Sequence, residues 1–521
     1  MINLARDDII SSPIMSFSDI LHRYLLSPLL SVSSQTTTTL SSNNKSRKPI
    51  SSSVFSYLND FDIDPTTGFM PNKPLPNRLP KLFKPWEEAL ASAPFLLSLG
   101  DDNDDEALAK RESSRLWRLK LVNGPILPID SLLDDVPCLQ RAHHVLAFLV
   151  HFYMHSIPLN GSSEPLVVPA SLAVPLVAVS DRLGIAPILT FADTVLWNWT
   201  LKDSSKPLSA DNIEPQTLFT QSDDERNFYN CCASIELRGV EALRIILDYD
   251  NMSSSFTGDS DFTLYSDPDE ETHTIQRISE ALARLARVVD ELTEILQSVR
   301  STCDPHAFYF RIRPWFRGSD ANGPDSPGWV FEGVDPSRQL ELSGPSAGQS
   351  STMHALDVFL DVDHQLAKPR LPAPSEQNRR ADHTFMTRMR KYMPGKHQEF
   401  LLYLASHHRP VRDLASRTHP LRQPYDSVVL ALKRFRDQHM RIACLYVVSM
   451  SRSAAATIRG GCPVGAMMME QMQQQQQQRE SDHVAIFQRQ PVRGTGGNEL
   501  SCLLKASRDA TVRTLLSGNI N

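Results

Sequence analysis

The segment from Tyr425 to Val448 sets Val428, Leu432, Phe435, His439, Ile442 and Tyr446 in steps of 4, 3, 4, 3 and 4, the spacing that lays one face of an α-helix against a core. An imidazole at the fourth place of that stripe points inward. Two chemistries suit it. One is a histidine hydrogen-bonded to a nearby backbone group; the other is the neutral axial ligand of a haem iron held in an apolar cavity. Arg436, three residues earlier on a neighbouring part of the same face, carries the planar fork that meets a haem propionate bidentately.

A competing constellation lies in SSTMHALDVFLDVDH, where His354, Asp357, Asp361 and His364 fall at i, i+3, i+7 and i+10. A continuous helix would align all four, and imidazole with carboxylate is a ligand set that iron, manganese or zinc accepts. The alternative is a solvated polar face opposite Met353, Leu356, Val358, Phe359, Leu360 and Val362. The pairs His143–His144 and His407–His408 are weaker metal candidates, because adjacent helical residues diverge by about 100°.

Two further segments have the composition of a binding surface. Ser343 to Ser351 reads SGPSAGQSS, small residues that let backbone N–H groups approach a ligand before Ser350 or Ser351 caps the next helix. Residues 304 to 318, DPHAFYFRIRPWFRG, mix Phe308, Tyr309, Phe310, Trp315 and Phe316 with Arg311, Arg313 and Arg317. That mixture suits an apolar wall with one buried arginine, matched to an aromatic molecule that carries a carboxylate. A packing strand or helix with snorkelling arginines is the structural alternative.

The elements that must position these residues read as mostly helical. Ile275, Ile278, Leu282, Leu285, Val289, Leu292, Leu296 and Val299 step by three and four without a miss, which predicts one amphipathic helix of about 26 residues. With 21 Gly against 36 Pro and few alternating β-branched runs, neither an all-β nor a Rossmann-type architecture is expected. No G-x-G-x-x-G or G-x-x-x-x-G-K-[ST] loop is present. Three polar segments interrupt the helical pattern: a Ser/Thr-rich leader at 31–53, an insertion at 251–273 with the acidic run Asp267 to Glu271, and a stretch at 451–494 containing Gln473 to Gln478.

Across the 521 residues, 53 Lys and Arg against 60 Asp and Glu leave a charge of −7, which argues against nucleic acid as a partner. Seven cysteines with no CxxC spacing argue against a disulfide framework and a zinc-thiolate site, and suit a reducing, cytoplasmic setting. No run of about 18 apolar residues and no clean signal peptide is found, so no membrane span is expected. A hydrophobic content of 41% is enough for a large core.

Taken in order, seven blocks resemble the indoleamine 2,3-dioxygenase family: PLVAVSDRLGIAPILTFADTVLWNW (175–199), NFYNCCASIELRG (227–239), DPHAFYFRIRPWFRG, GPSAGQSSTMHALDV (344–358), RKYMPGKHQEFL (390–401), YDSVVLALKRFRDQHMRIACLYV (425–447) and GTGGNEL (494–500). The resemblance spans about residues 55 to 515. It implies an all-α protein: a leader (1–54), a smaller N-terminal helical domain (55–220), and a larger helical domain (221–521) that the smaller one caps and that holds one haem b. The implied reaction converts L-tryptophan and O₂ into N-formylkynurenine, the first step of the kynurenine route that can feed NAD synthesis. An electron donor would keep the iron ferrous, and a monomer is implied.

Position by position, the resemblance implies that His439 is the proximal iron ligand and that Arg436 and Asp357 lie near the propionates. Phe228 and Phe308 would pack on the indole, and Arg313 would pair with the substrate carboxylate. Ser346, Ala347 and Gly348 would lie over the distal pocket, and Thr495 near the substrate ammonium group. Three residues depart from the family pattern: Cys232 stands at a distal position that is often Ser, Phe191 where animal members have Tyr, and Pro345 where a Gly is usual. A thiol donates hydrogen bonds weakly and a proline stiffens a loop, so affinity is expected to change more than reaction type. Two other readings remain at this level: a haem-binding paralogue with little or no catalysis, and a non-haem metalloenzyme built on the His354, Asp357, Asp361 and His364 face.

Overall fold

The computed structural model describes residues 56–158, 164–253, 268–321, 323, 328–407, 410–453, 492–494 and 499–517, all within the unit Ser53–Asn521. Its architecture is all-α. Eleven helices carry the argument: α1 (Lys84–Leu96), α2 (Asp105–Val122), α3 (Val136–His155), α4 (Ala170–Leu183), α5 (Asp223–Ser253), α6 (Pro268–Thr302), α7 (Ser351–Phe359), α8 (Gly395–His407), α9 (Val411–Arg417), α10 (His419–Ala443) and α11 (Leu500–Val512). Strands among the described residues are limited to two short pairs, Leu166–Val168 parallel with Trp329–Phe331 and Thr200–Leu201 antiparallel with Ile213–Glu214. No helix among the described residues is long and apolar enough to cross a membrane.

The long helix expected from Ile275 exists as α6 but starts at Pro268, so Asp269, Glu270 and Glu271 occupy its first turn. Three carboxylates there complement the positive end of the helix, and the polar insertion is correspondingly shorter than its composition suggested. Residues 254–267, which complete it, lie outside the described residues, as do the leader and residues 454–491 with the glutamine tract. The apolar stripe of α6, Ile278, Leu282, Leu285, Val289 and Leu292, is fully buried and packs along α10 and α5.

Helix α3 is buried on nearly every side, and its four histidines serve as cross-links. His144 reaches Thr217 Oγ1 at 2.8 Å, whereas His143 meets Asp193 Oδ1 at 2.7 Å and Ala186 O at 3.2 Å. His151 and His155 donate to the carbonyls of Trp315 and Arg317 at 2.6 and 2.8 Å. Asp193 holds both members of the adjacent pair, His143 through its carboxylate and His144 through its carbonyl at 2.9 Å, and the two rings diverge beyond it, so every ring nitrogen of the pair is engaged by a protein group. His407 closes α8, and His408 lies outside the described residues.

The aligned His354, Asp357, Asp361 and His364 face does not form, because α7 stops at Phe359. Asp361 adopts a left-handed conformation (φ +59), while the N–H groups of Asp361 and Val362 return to the carbonyls of Val358 and Asp357 at 3.1 and 2.9 Å. That is a Schellman stop, built on an aspartate instead of a glycine. Asp361 then pairs with Lys368 and Arg370, and no group of three metal-ligating side chains exists among the described residues.

Candidate active site

Helix α10 delivers Phe435, Arg436, His439, Ile442 and Ala443 to one wall of a cavity of about 320 Å³. Its apolar stripe is anchored by Leu421, Tyr425, Val428 and Leu432, each buried, with the Tyr425 hydroxyl donating to Leu360 O at 2.8 Å. Beyond Ala443 the helix widens into a π-turn, Cys444–Ser449, which still brings Tyr446 and Val447 to the cavity.

Helix α5 contributes a second wall through Phe228, Cys232 and Glu236, one residue per turn. The Phe228 ring lies 4.8 Å from that of Phe308, and Phe308 in turn meets Tyr446 at 5.7 Å. The segment DPHAFYFRIRPWFRG is neither strand nor continuous α-helix. Asp304 caps a short turn, a π-turn follows at Phe308–Ile312, and a 3₁₀ turn at Arg313–Phe316. A π-turn bonds i to i+5 and so holds more residues per turn than an α-helix, which brings Phe308 and Arg313 closer to one side than a regular α-helix would, and both line the cavity. The Arg313 guanidinium donates to Arg493 O at 2.6 Å and sits 5.5 Å from the Tyr309 ring centre. A third π-turn, Ala192–Leu196, presents Thr194 and Val195 beside Phe191.

The loop from Pro345 to Gly348 completes the enclosure with Ser346 and Ala347. Gln349 locks it in place: its Nε2 donates to Gly344 O at 2.9 Å, and its Oε1 accepts from Phe191 N at 2.8 Å. Ser350 caps α7 by accepting from Met353 N and donates its own proton to Glu236 Oε1 at 2.6 Å. Thr352 donates to the other Glu236 oxygen at 2.5 Å. Just beyond, α5 passes so close to α7 that a β-carbon at Gly239 would lie 2.6 Å from Thr352 Cγ2.

The electrostatics are sparse. Burial, helped by the charge of Arg436, pushes the His439 imidazole down to about 4, so it is neutral at ordinary pH. It makes no hydrogen bond to another described residue, and its exposed part faces the cavity. A neutral, unpartnered imidazole on an apolar wall is the donor a haem iron takes. Arg436 Nη2 lies 2.6 and 2.7 Å from the two oxygens of Asp357, and Arg436 Nη1 meets Thr511 Oγ1. Burial alone would raise the Asp357 carboxyl, but Arg436 and His364 hold it well below the carboxylate range. Burial lowers Arg313 to about 10, leaving it a cation, and raises both Glu236 and the Cys232 thiol.

Phe191, Phe228, Cys232, Phe308, Arg313, Ser346, Ala347, Gly348, Arg436 and His439 thus converge on one cavity, with Asp357 just behind Arg436. Thr495 lies outside the described residues, although Gly494 beside it lines the cavity. Glu236 was missed, yet its spacing of four and eight from Cys232 and Phe228 carried the signal. Met386 and the α11 residues Leu500, Leu503, Leu504 and Ser507 were also missed, because nothing local marks them as cavity-facing.

Among the described residues the arrangement defines a helical protein that encloses a largely apolar chamber lined by the unpartnered His439 imidazole, two buried guanidinium groups, Arg313 and Arg436, and the Phe228–Phe308 aromatic pair. The sequence profile described as Indoleamine 2,3-dioxygenase matches residues 57–514, and the chain belongs to that family. It is 28% identical to an indoleamine 2,3-dioxygenase of Saccharomyces cerevisiae, over 88% of this chain and 93% of the relative. Indoleamine 2,3-dioxygenase 1 of Rattus norvegicus is 28% identical over 88% and 96% of the two chains. A 6-hydroxytryptophan 2,3-dioxygenase of Fusarium equiseti is 27% identical over 88% and 98%.

Proposed function

We propose that this chain is a haem dioxygenase that inserts both atoms of O₂ across the indole C2=C3 bond of L-tryptophan to give N-formylkynurenine. The observation that carries the reading is a single cavity joining an unpartnered His439 to the Phe228–Phe308 pair and Arg313. His439 would hold the iron of one haem b, with Arg436, fixed by Asp357, as the cation facing a propionate. Activation of O₂ is chemistry that ferrous haem supplies when bound.

The remaining roles belong to the protein. Phe228 and Phe308 give the indole an apolar bed, and Arg313 pairs with the carboxylate so that one edge of the ring is turned toward the reacting centre. Ser346 to Gly348, with Thr495, would close the chamber over the substrate and exclude water. No side-chain acid or base is required. Glu236, the one carboxyl among the described residues of the chamber wall, has both oxygens occupied by Ser350 and Thr352.

The same reading makes residues 55–220 a smaller domain capping residues 221–521, and the protein a cytoplasmic monomer served by an external electron donor. It assigns neither a nucleic-acid nor a membrane partner. Its product would enter the kynurenine route that can feed NAD synthesis. The test is the absorption spectrum of the haem-supplemented protein, ferric and ferrous with CO, followed by L-tryptophan under air with mass identification of the product. A Soret band and a product heavier by two oxygen atoms are expected. Haem binding without that product would refute the catalytic reading, and 6-hydroxytryptophan run in parallel gauges the tolerance of the indole site.

A further inference from the structure

Asp357 has two partners, and Arg436 alone would neutralise it. The second is His364, seven residues on, which the left-handed Asp361 turns back so that Nε2–H donates to Asp357 Oδ2 at 2.8 Å. The other ring nitrogen, Nδ1, makes no hydrogen bond to a described residue, and the side chain is 14% exposed. A proton from solvent can therefore bind at Nδ1 without breaking the bond to Asp357.

His364 also lines a small side cavity in which Asn378, Asp382, His383 and Ser507 stand beside apolar side chains, Leu366 and Ala506 among them. Met386, Leu503 and Ser507 border both that space and the large chamber. Arg436, Asp357 and His364 thus form a continuous chain of charged and hydrogen-bonded groups from the chamber wall to a point that solvent reaches.

Resting on the haem reading above, we propose that His364 is a positioning residue for Arg436, and that its Nδ1 takes up the proton accompanying one-electron reduction of the iron. An electron from an external one-electron donor lowers the charge of the site by one. A proton from water then converts the His364 imidazole to imidazolium, and no bond between heavy atoms forms or breaks. Added negative charge in a low-dielectric interior favours a nearby cation, which is why the two events are coupled.

The groups facing His364 are few. Asp357 of α7 is bonded to it, with Arg436 of α10 behind, and His354 of α7 lies close enough to feel its charge, with Arg390 beyond. Asp361 and Asp363 belong to its own turn, Asp361 being held by Lys368 and Arg370. Across the side cavity stand His383 and Asp382, the latter paired with Arg388. Asp357 is the carboxylate in direct contact.

The experiment is spectroelectrochemical titration of the full-length, haem-loaded protein from about pH 5.5 to about 8.5, the range in which a histidine changes charge. In the wild type the midpoint potential is expected to rise as pH falls through that range. His364→Gln, which keeps an N–H donor but cannot take a proton, should lose the pH-dependent limb while holding haem as firmly as wild type. His364→Leu should in addition release haem to an apoprotein acceptor about 10-fold faster, because Asp357 loses a hydrogen bond that orients it. A flat wild-type potential, or an unchanged limb in His364→Gln, overturns the proton assignment; unchanged haem release in His364→Leu overturns the positioning role. If His364→Leu does not fold, retention by the glutamine variant set beside His364→Ala decides the second point. Failure of the wild type to develop a Soret band is a different result, since it removes the haem reading together with this inference.

Discussion

One wall of the chamber comes from a single helix read at its own period, whereas the wall carrying Phe191, Phe308 and Arg313 is made of π- and 3₁₀-turns drawn from distant parts of the chain. On α10 the positions of Arg436 and His439 follow from spacing alone, and the charge they present is fixed by a buried pair with Asp357. On the irregular wall each side chain depends on bonds across the sequence, Arg313 on Arg493 O and Phe191 on Gln349. The contrast separates two tasks: a regular element holds a group whose place must not vary, and wide turns shape a surface to its ligand.

Removal of the fixed imidazole is the strongest way to break this division. His439→Ala should abolish the Soret band of the supplemented protein and all turnover, with helical circular dichroism unchanged; a variant that still binds haem and turns over substrate would transfer the ligand role elsewhere. Next in size, Asp357→Ala strands the buried Arg436 cation and should cost about 3–5 kcal/mol in urea unfolding. A loss no larger than at an exposed position would mean that solvent already shields the pair.

On the irregular wall, Arg313→Ala should lower kcat/KM for L-tryptophan about 100-fold through lost orientation and affinity, while leaving the haem spectrum intact. Comparable losses with tryptamine, which lacks the carboxylate, would contradict the pairing. The cross-linking histidines of α3 predict acid sensitivity. Burial lowers His144 and His155 to about 3 and His151 to about 4, against 6.5 for a free side chain. Above 6.5 folded and unfolded states are alike neutral at these positions. As pH falls below it the unfolded chain binds protons that the folded one refuses, so stability should drop by about 1.4 kcal/mol per pH unit for each such histidine. A urea midpoint independent of pH between about 6.5 and about 4.5 would show that these rings titrate freely. The smallest effect is expected at Cys232→Ser, within about 3-fold in kcat, because a neutral thiol is replaced by a neutral hydroxyl of similar size.

The same division governed what the sequence could reveal. His439, Arg436 and the α6 stripe were legible because helical period needs no knowledge of the rest of the fold. Phe308 and Arg313 were legible only as members of an aromatic, arginine-bearing segment; which of its residues face the cavity, and the place of Phe228, came through family resemblance, since no local rule announces a π-turn. The metal face failed for a related reason. Nothing but an aspartate marks the end of α7, and aspartate is one of the few residues other than glycine that readily takes the left-handed conformation. Glu236 went unnoticed although its spacing was regular, because an isolated acid on an apolar face reads as an exception until Ser350 and Thr352 are seen to satisfy it.

Gly239 touches no part of the chamber, yet it sets the bore. Thr352 cannot swing aside to admit a larger residue there, because its hydroxyl is held by Glu236. Any side chain at that station would wedge α5 from α7 and carry Phe228 and Cys232 away from the Ser346–Gly348 rim. The calibre of the chamber is thereby fixed from outside it, by the absence of a single methyl group three residues past the last one that lines the wall.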